Sequence, residues 1–133
     1  MATTTAKITL TSTDLSANET LSLETTTSIV APHTTGLSRD VVKSTAKGTA
    51  SGQVTLYTAD DYAAIGYLYI KNTSTTAADK IYIYDDTTSG DPLQFQLDAG
   101  DWAFIPMHGD KTYKAYATAN PSSIEFMVIG KDQ

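Results

Sequence analysis

The stretch Ile65-Gly66-Tyr67-Leu68-Tyr69-Ile70-Lys71-Asn72, followed after a polar loop by Lys80-Ile81-Tyr82-Ile83-Tyr84-Asp85, decides the fold class. Both segments alternate aliphatic with aromatic or polar residues, a period of two that belongs to a β-strand rather than a helix. The loop between them, Thr73 to Asp79, is short and polar, so the two segments are expected to pair as a hairpin. Leu68, Ile70, Ile81 and Ile83 would then line an aliphatic face, with Tyr67, Tyr69, Tyr82 and Tyr84 gathered on the other. The aliphatic face is the natural core. The tyrosine face is either buried by another part of the chain or presented to a partner, since tyrosine offers rigid apolar area with a polar tip. These four tyrosines are the candidate protein-interface residues.

The same period extends in both directions. Leu93, Phe95 and Leu97 alternate with Gln94 and Gln96, and Ile124, Phe126 and Val128 alternate with Glu125, Met127 and Ile129. Weaker alternations cover Lys7 to Thr11, Thr20 to Glu24, Asp40 to Ala46, Gln53 to Tyr57, Ala103 to Pro106 and Tyr113 to Thr118. Turn chemistry punctuates them at short intervals, as in Asp98-Ala99-Gly100-Asp101 and His108-Gly109-Asp110. About nine short strands so separated predict an all-β antiparallel sandwich, jelly-roll-like rather than immunoglobulin-like because the chain has no cysteine framework.

Threonine is about one residue in six, and every aromatic residue lies from Tyr57 onward. The core is therefore expected in the second part of the chain, with residues 1–20 an N-terminal arm or first strand and residues 21–133 a single sandwich domain. The first seven residues are expected to fray unless they pair with a neighbour.

A length of 133 residues fits one core. With no cysteine, disulfides, thiolate metal sites and cysteine nucleophiles are excluded together. A net charge of -6 with only 9 Lys and Arg argues against nucleic acid as a partner. No apolar run is long enough to cross a bilayer as a helix, so no membrane partner is expected. The Asp60-Asp61 and Asp85-Asp86 pairs, with Asp91, lack calcium-loop spacing and read as turn formers. His33 and His108 stand far apart without a nucleophile or acid beside them, and none of the common nucleophile, zinc or phosphate-loop motifs occurs. The expectation is a protein that is not an enzyme and has no cofactor or metal. Trp102 is expected in the core with Phe104 and Phe95, the alternative being a stacking platform for a sugar ring.

Three stretches carry a family likeness: Gly36-Leu37-Ser38-Arg39 leading to Val41-Val42, Tyr67-Leu68-Tyr69-Ile70-Lys71-Asn72-Thr73-Ser74, and Leu97-Asp98-Ala99-Gly100-Asp101-Trp102-Ala103-Phe104-Ile105-Pro106. Together they resemble the capsid decoration or cement proteins of tailed bacteriophages, particularly marine and cyanobacterial phages, over about Leu21 to Gly130. The resemblance implies a virion structural protein on the outer capsid surface that stabilises the shell. It also implies major capsid protein subunits as partners, a homo-oligomer with a trimer favoured, and synthesis in the host bacterial cytoplasm. A fibre-associated or carbohydrate-binding recognition module is the alternative.

Overall fold

The structure, a computed structural model, describes residues 3–16, 19–29, 33–34, 36–43, 47, 51–61, 65–87, 90, 92–118 and 121–130. The expected strand end at residues 44–46, Asp91 of the acidic group, and Asn120 of the last turn lie outside them. The chain divides into two units, Met1–Pro32 and His33–Gln133. The division falls later than the expected boundary after residue 20, because the second strand pairs with the first along most of its length.

The first unit is a two-stranded antiparallel ribbon of β1 (Thr4–Ser16) and β2 (Glu19–Ile29). Pairing runs from Thr4 opposite Ile29 to Ser12 opposite Leu21, with a shift in register beyond it. Thr4 to Lys7, expected to fray, are thus paired within the chain, opposite Thr26 to Ile29.

The second unit contains β3 (His33–Thr34), β4 (Ser38–Val42), β5 (Val54–Tyr57), β6 (Ile65–Asn72), β7 (Ile81–Asp85), β8 (Leu93–Leu97), β9 (Trp102–His108), β10 (Tyr113–Ala117) and β11 (Ser122–Gly130). Strands β4, β5, β6 and β7 pair antiparallel with β11, β10, β9 and β8 in turn, as though the unit were one long hairpin folded at β7–β8. Rolling that hairpin up adds the contacts β6 with β11 and β7 with β10. Two sheets result, β5-β10-β7-β8 and β3-β11-β6-β9, with β4 beside β3 along the same edge of β11. This wiring is a jelly roll, the arrangement that the absence of a cysteine framework favours and that the strand pattern alone leaves open beside an immunoglobulin-like one. Between β3 and β4 the backbone passes through Gly36 at a φ of 72°, which splits the edge into two short segments.

The expected hairpin of β6 and β7 does not form, because the two strands lie in different sheets. The loop Thr73 to Asp79 crosses between sheets instead of turning within one. Leu68, Ile70, Ile81 and Ile83 still share one core, all with no exposed surface, but they belong to opposed sheets rather than to neighbouring strands. Val42, Leu97, Ala115, Ala117, Ile124 and Val128 complete its centre.

The crossing is fixed by a buried amide. Asn72 has no exposed surface, and its Nδ2 donates to the carbonyls of Asp79 at 2.8 Å and Leu97 at 3.3 Å. Its Oδ1 accepts from the Ser74 amide at 3.1 Å. The Asn72 backbone donates to the Asp101 carbonyl at 2.9 Å and accepts from the Gly100 amide at 3.0 Å. Gly100 meets it in a turn with φ of 84°, the left-handed region that a side chain would strain. One buried residue thereby satisfies the polar groups that a loop leaving a core strand would otherwise strand.

Candidate interaction surfaces

Alternation that sends aliphatic residues inward sends their neighbours outward, so each sheet carries an outer face of ordered composition. On the five-stranded sheet the register brings Arg39, Glu125, Lys71 and Trp102 into one cross-strand row. Met127, Tyr69 and Phe104 make the next row, and Ile129, Tyr67 and Pro106 the one beyond. Tyr67 and Phe104 stack with ring centroids 5.6 Å apart and planes 8° from parallel. The Glu125 carboxylate is held from two sides. Arg39 Nε donates to Oε2 at 2.9 Å, its Nη2 lies 2.9 Å from the same oxygen, and the Tyr69 hydroxyl donates to Oε1 at 3.3 Å. Burial, then the nearby Glu125 charge and that hydrogen bond, push the Tyr69 pKa above its usual value and keep the phenol a donor.

On the four-stranded sheet the outer face carries Tyr82 and Tyr116, stacked at 5.0 Å, with Tyr84 edge-on to Tyr116 at 5.9 Å. Tyr84 is fully buried, and its hydroxyl donates to Gln53 Oε1 at 2.7 Å. The four candidate tyrosines therefore all point away from the aliphatic core, as expected, but they do not form one surface. Tyr67 and Tyr69 lie on one sheet, Tyr82 and Tyr84 on the other, and Tyr84 is packed rather than presented.

Trp102 is the principal correction to the expected core. It is 54% exposed on the outer face of β9, whereas Phe104 lies two residues along that face and Phe95 packs inward from the opposite sheet. Parity along β9 explains this: Ala103, Ile105 and Met107 take the core side, so Trp102 and Phe104 must take the other. The same parity, continued across the register, would have found Arg39, Glu125 and Met127 as companions of the tyrosines. The register itself depends on β9 joining β6, which no local pattern announces.

The ribbon offers a third surface. Ala6, Ile8 and Leu10 of β1 and Leu21, Leu23 and Ile29 of β2 fall on one face, which carries no charge over the paired stretch; Ile29 at its end is buried, and the others are partly or largely exposed. Lys7 and Glu24 lie on the opposite face, 2.7 Å apart. Leu10 stands directly across from Leu23, and they are 51% and 45% exposed.

The remaining candidates are accounted for locally. Asp85 accepts from the Thr87 amide at 2.8 Å and lies 3.9 Å from Lys111 Nζ, and Asp86 pairs with Lys114. Asp60 lies in a tight turn with φ of 68°, and its amide donates to the Gly109 carbonyl at 2.7 Å. No group of three or more potential metal ligands occurs among the described residues. His108 ends β9 and is exposed. Comparison of the chain with family models, with curated proteins and with solved structures finds no match in any of the three.

Proposed function

We propose that this chain is a virion structural protein that binds the outer surface of a phage capsid as a decoration or cement protein and stabilises the shell. Its partners are major capsid protein subunits and further copies of itself, a trimer being favoured, and the reading gives it no catalytic role. It is made in the host cytoplasm and resides on the capsid surface. The observation that carries this reading is the ribbon. Two strands alone are marginally stable in water, and one face of this pair presents an uncharged aliphatic stripe with Leu10 and Leu23 about half exposed. Such a ribbon gains stability when a neighbour covers it. The stacked Tyr82 and Tyr116 on the jelly roll supply further contact area of the kind that favours protein interfaces. Contacts of this sort are individually modest and become secure by repetition on a lattice.

Sedimentation of the purified chain with tailed-phage capsid shells that lack a decoration protein tests the proposal. The wild-type chain is expected to pellet with the shells in saturable amount. Covering the exposed half of each leucine is worth about 1 kcal/mol, so Leu10→Ser with Leu23→Ser weakens each contact about thirtyfold. Wild-type protein that stays in the supernatant overturns the reading.

A further inference from the structure

We propose that the outer face of the β3/β4-β11-β6-β9 sheet is a binding site for an acidic oligosaccharide, with Trp102 as its stacking platform and Lys71 and Arg39 as its anion contacts. This site is independent of the ribbon and of shell binding. The row Arg39, Glu125, Lys71, Trp102 crosses four adjacent strands and so spans about 14 Å, room for a disaccharide or trisaccharide laid across them. At one end lies an indole that is 54% exposed although the fold asks nothing of it. Phe104, stacked on Tyr67, continues the aromatic surface one row away.

Charge selects the class of ligand. Glu125 is the one carboxylate among the described outward residues of these strands, and it is already engaged by Arg39 and Tyr69. Arg39 and Lys71 against Glu125 leave the row with one net positive charge, on a chain whose formal charge is -6. The Arg39 side chain is 77% exposed and keeps guanidinium donors free of the Glu125 contact. On a chain whose net charge otherwise opposes anions, that row is a local point of attraction for one.

Hydration separates a saccharide from a protein partner. A dry protein interface is depleted of charge at its centre, and covering Arg39, Glu125 and Lys71 with apolar side chains would strip their water without replacement. A sugar brings hydroxyl groups to those same donors and acceptors while its C–H face lies on the indole. An acidic sugar adds a carboxylate or sulfate for Lys71 and Arg39, the latter in the bidentate geometry guanidinium favours.

The test is a titration of the full chain with a galacturonate tetramer, a heparin-derived tetrasaccharide and a neutral galactose tetramer. Emission excited beyond the tyrosine absorption band reports on Trp102 alone, because the chain has one tryptophan. The expected result is a saturable change with at least one acidic oligosaccharide and binding about tenfold weaker for the neutral one. Calorimetry on Trp102→Ala should show the affinity lost, and Lys71→Ala should weaken it and flatten its salt dependence, with thermal unfolding of both variants near wild type. No change in emission with either acidic oligosaccharide overturns the proposal. So does equal or tighter binding of a polyglutamate peptide, which would make the face a docking site for an acidic polypeptide.

Discussion

Asn72 is the residue whose replacement most directly examines why the chain folds as a jelly roll and not as a meander. Its side chain makes three hydrogen bonds while fully buried, two donated to the carbonyls of Asp79 and Leu97 and one accepted from the Ser74 amide. Asn72→Ala deletes all three. The Leu97 carbonyl is buried, so its loss of a partner costs about 1–3 kcal/mol. The Asp79 and Ser74 groups are partly buried and can recruit water, which limits each to about 0.5–1.5 kcal/mol. The sum is about 2–6 kcal/mol, a large share of the roughly 5–15 kcal/mol that holds a domain folded.

Asn72→Asp is nearly identical in shape and should be worse than Asn72→Ala. It keeps the acceptor for Ser74 but sets a carboxylate oxygen against two carbonyl oxygens, of which that of Leu97 is buried. Equilibrium urea unfolding measures both, with the slope as a check that the unfolded state is unchanged. The expected order of midpoints is wild type, then alanine, then aspartate. An alanine variant within about 0.5 kcal/mol of wild type, or an aspartate variant more stable than alanine, would refute the assignment of this amide as the tie that holds the crossing.

The tyrosines should separate by burial. Tyr84→Ala removes a fully buried ring and should cost about 3–5 kcal/mol, Tyr84→Phe only the bond to Gln53, about 1 kcal/mol, and Tyr67→Ala clearly less than Tyr84→Ala in the same urea assay. Stability should also fall in alkali. Tyr69, Tyr113 and Tyr116 all have pKa values raised above 10.0, chiefly by burial, so the folded state holds its phenolic protons after the unfolded chain has released them. Their contribution is complete below about pH 10 and is lost as the pH rises through the raised values, which urea midpoints and phenolate absorbance should follow together.

The strand pattern and the inward residues were legible because alternation is a local property, set by which side of a pleated backbone each residue occupies. Leu68 and Ile70 must face the same way whatever β6 pairs with, and so must Ile81 and Ile83 on β7. Alternation does not distinguish two strands lying side by side from two lying face to face, since in both arrangements their aliphatic sides meet. That is why the hairpin of β6 and β7 was the natural expectation and why the tyrosines were gathered into one face. The information that separates the cases sits in Asn72, a single polar residue at a core position, whose partners at Asp79, Leu97, Gly100 and Asp101 are recognisable only once the sheets are assembled. Trp102 failed for a related reason. A lone tryptophan in a small all-β chain reads as core until the parity of Ala103, Ile105 and Met107 assigns it to the other side.

The motifs on which the proposed resemblance rests divide by what they do in the fold. Asn72-Thr73-Ser74 and Asp98-Ala99-Gly100-Asp101 are hydrogen-bonded to one another through Asn72, Gly100 and Asp101, and Lys80 Nζ closes on Asp98 Oδ1 at 3.0 Å. Those residues build the crossing between sheets, so any chain that rolls up in this way has reason to keep something similar, whatever it binds. Trp102 follows them directly and takes no part in the knot. A large aromatic held half in water is a standing liability for a soluble surface, and neither core packing nor turn geometry requires one there. Selection for folding would replace it with threonine or lysine at little cost. Its presence beside Lys71 and the Arg39–Glu125 pair is therefore better evidence about ligands than the turn motif it follows, because neither the turn nor the core explains it.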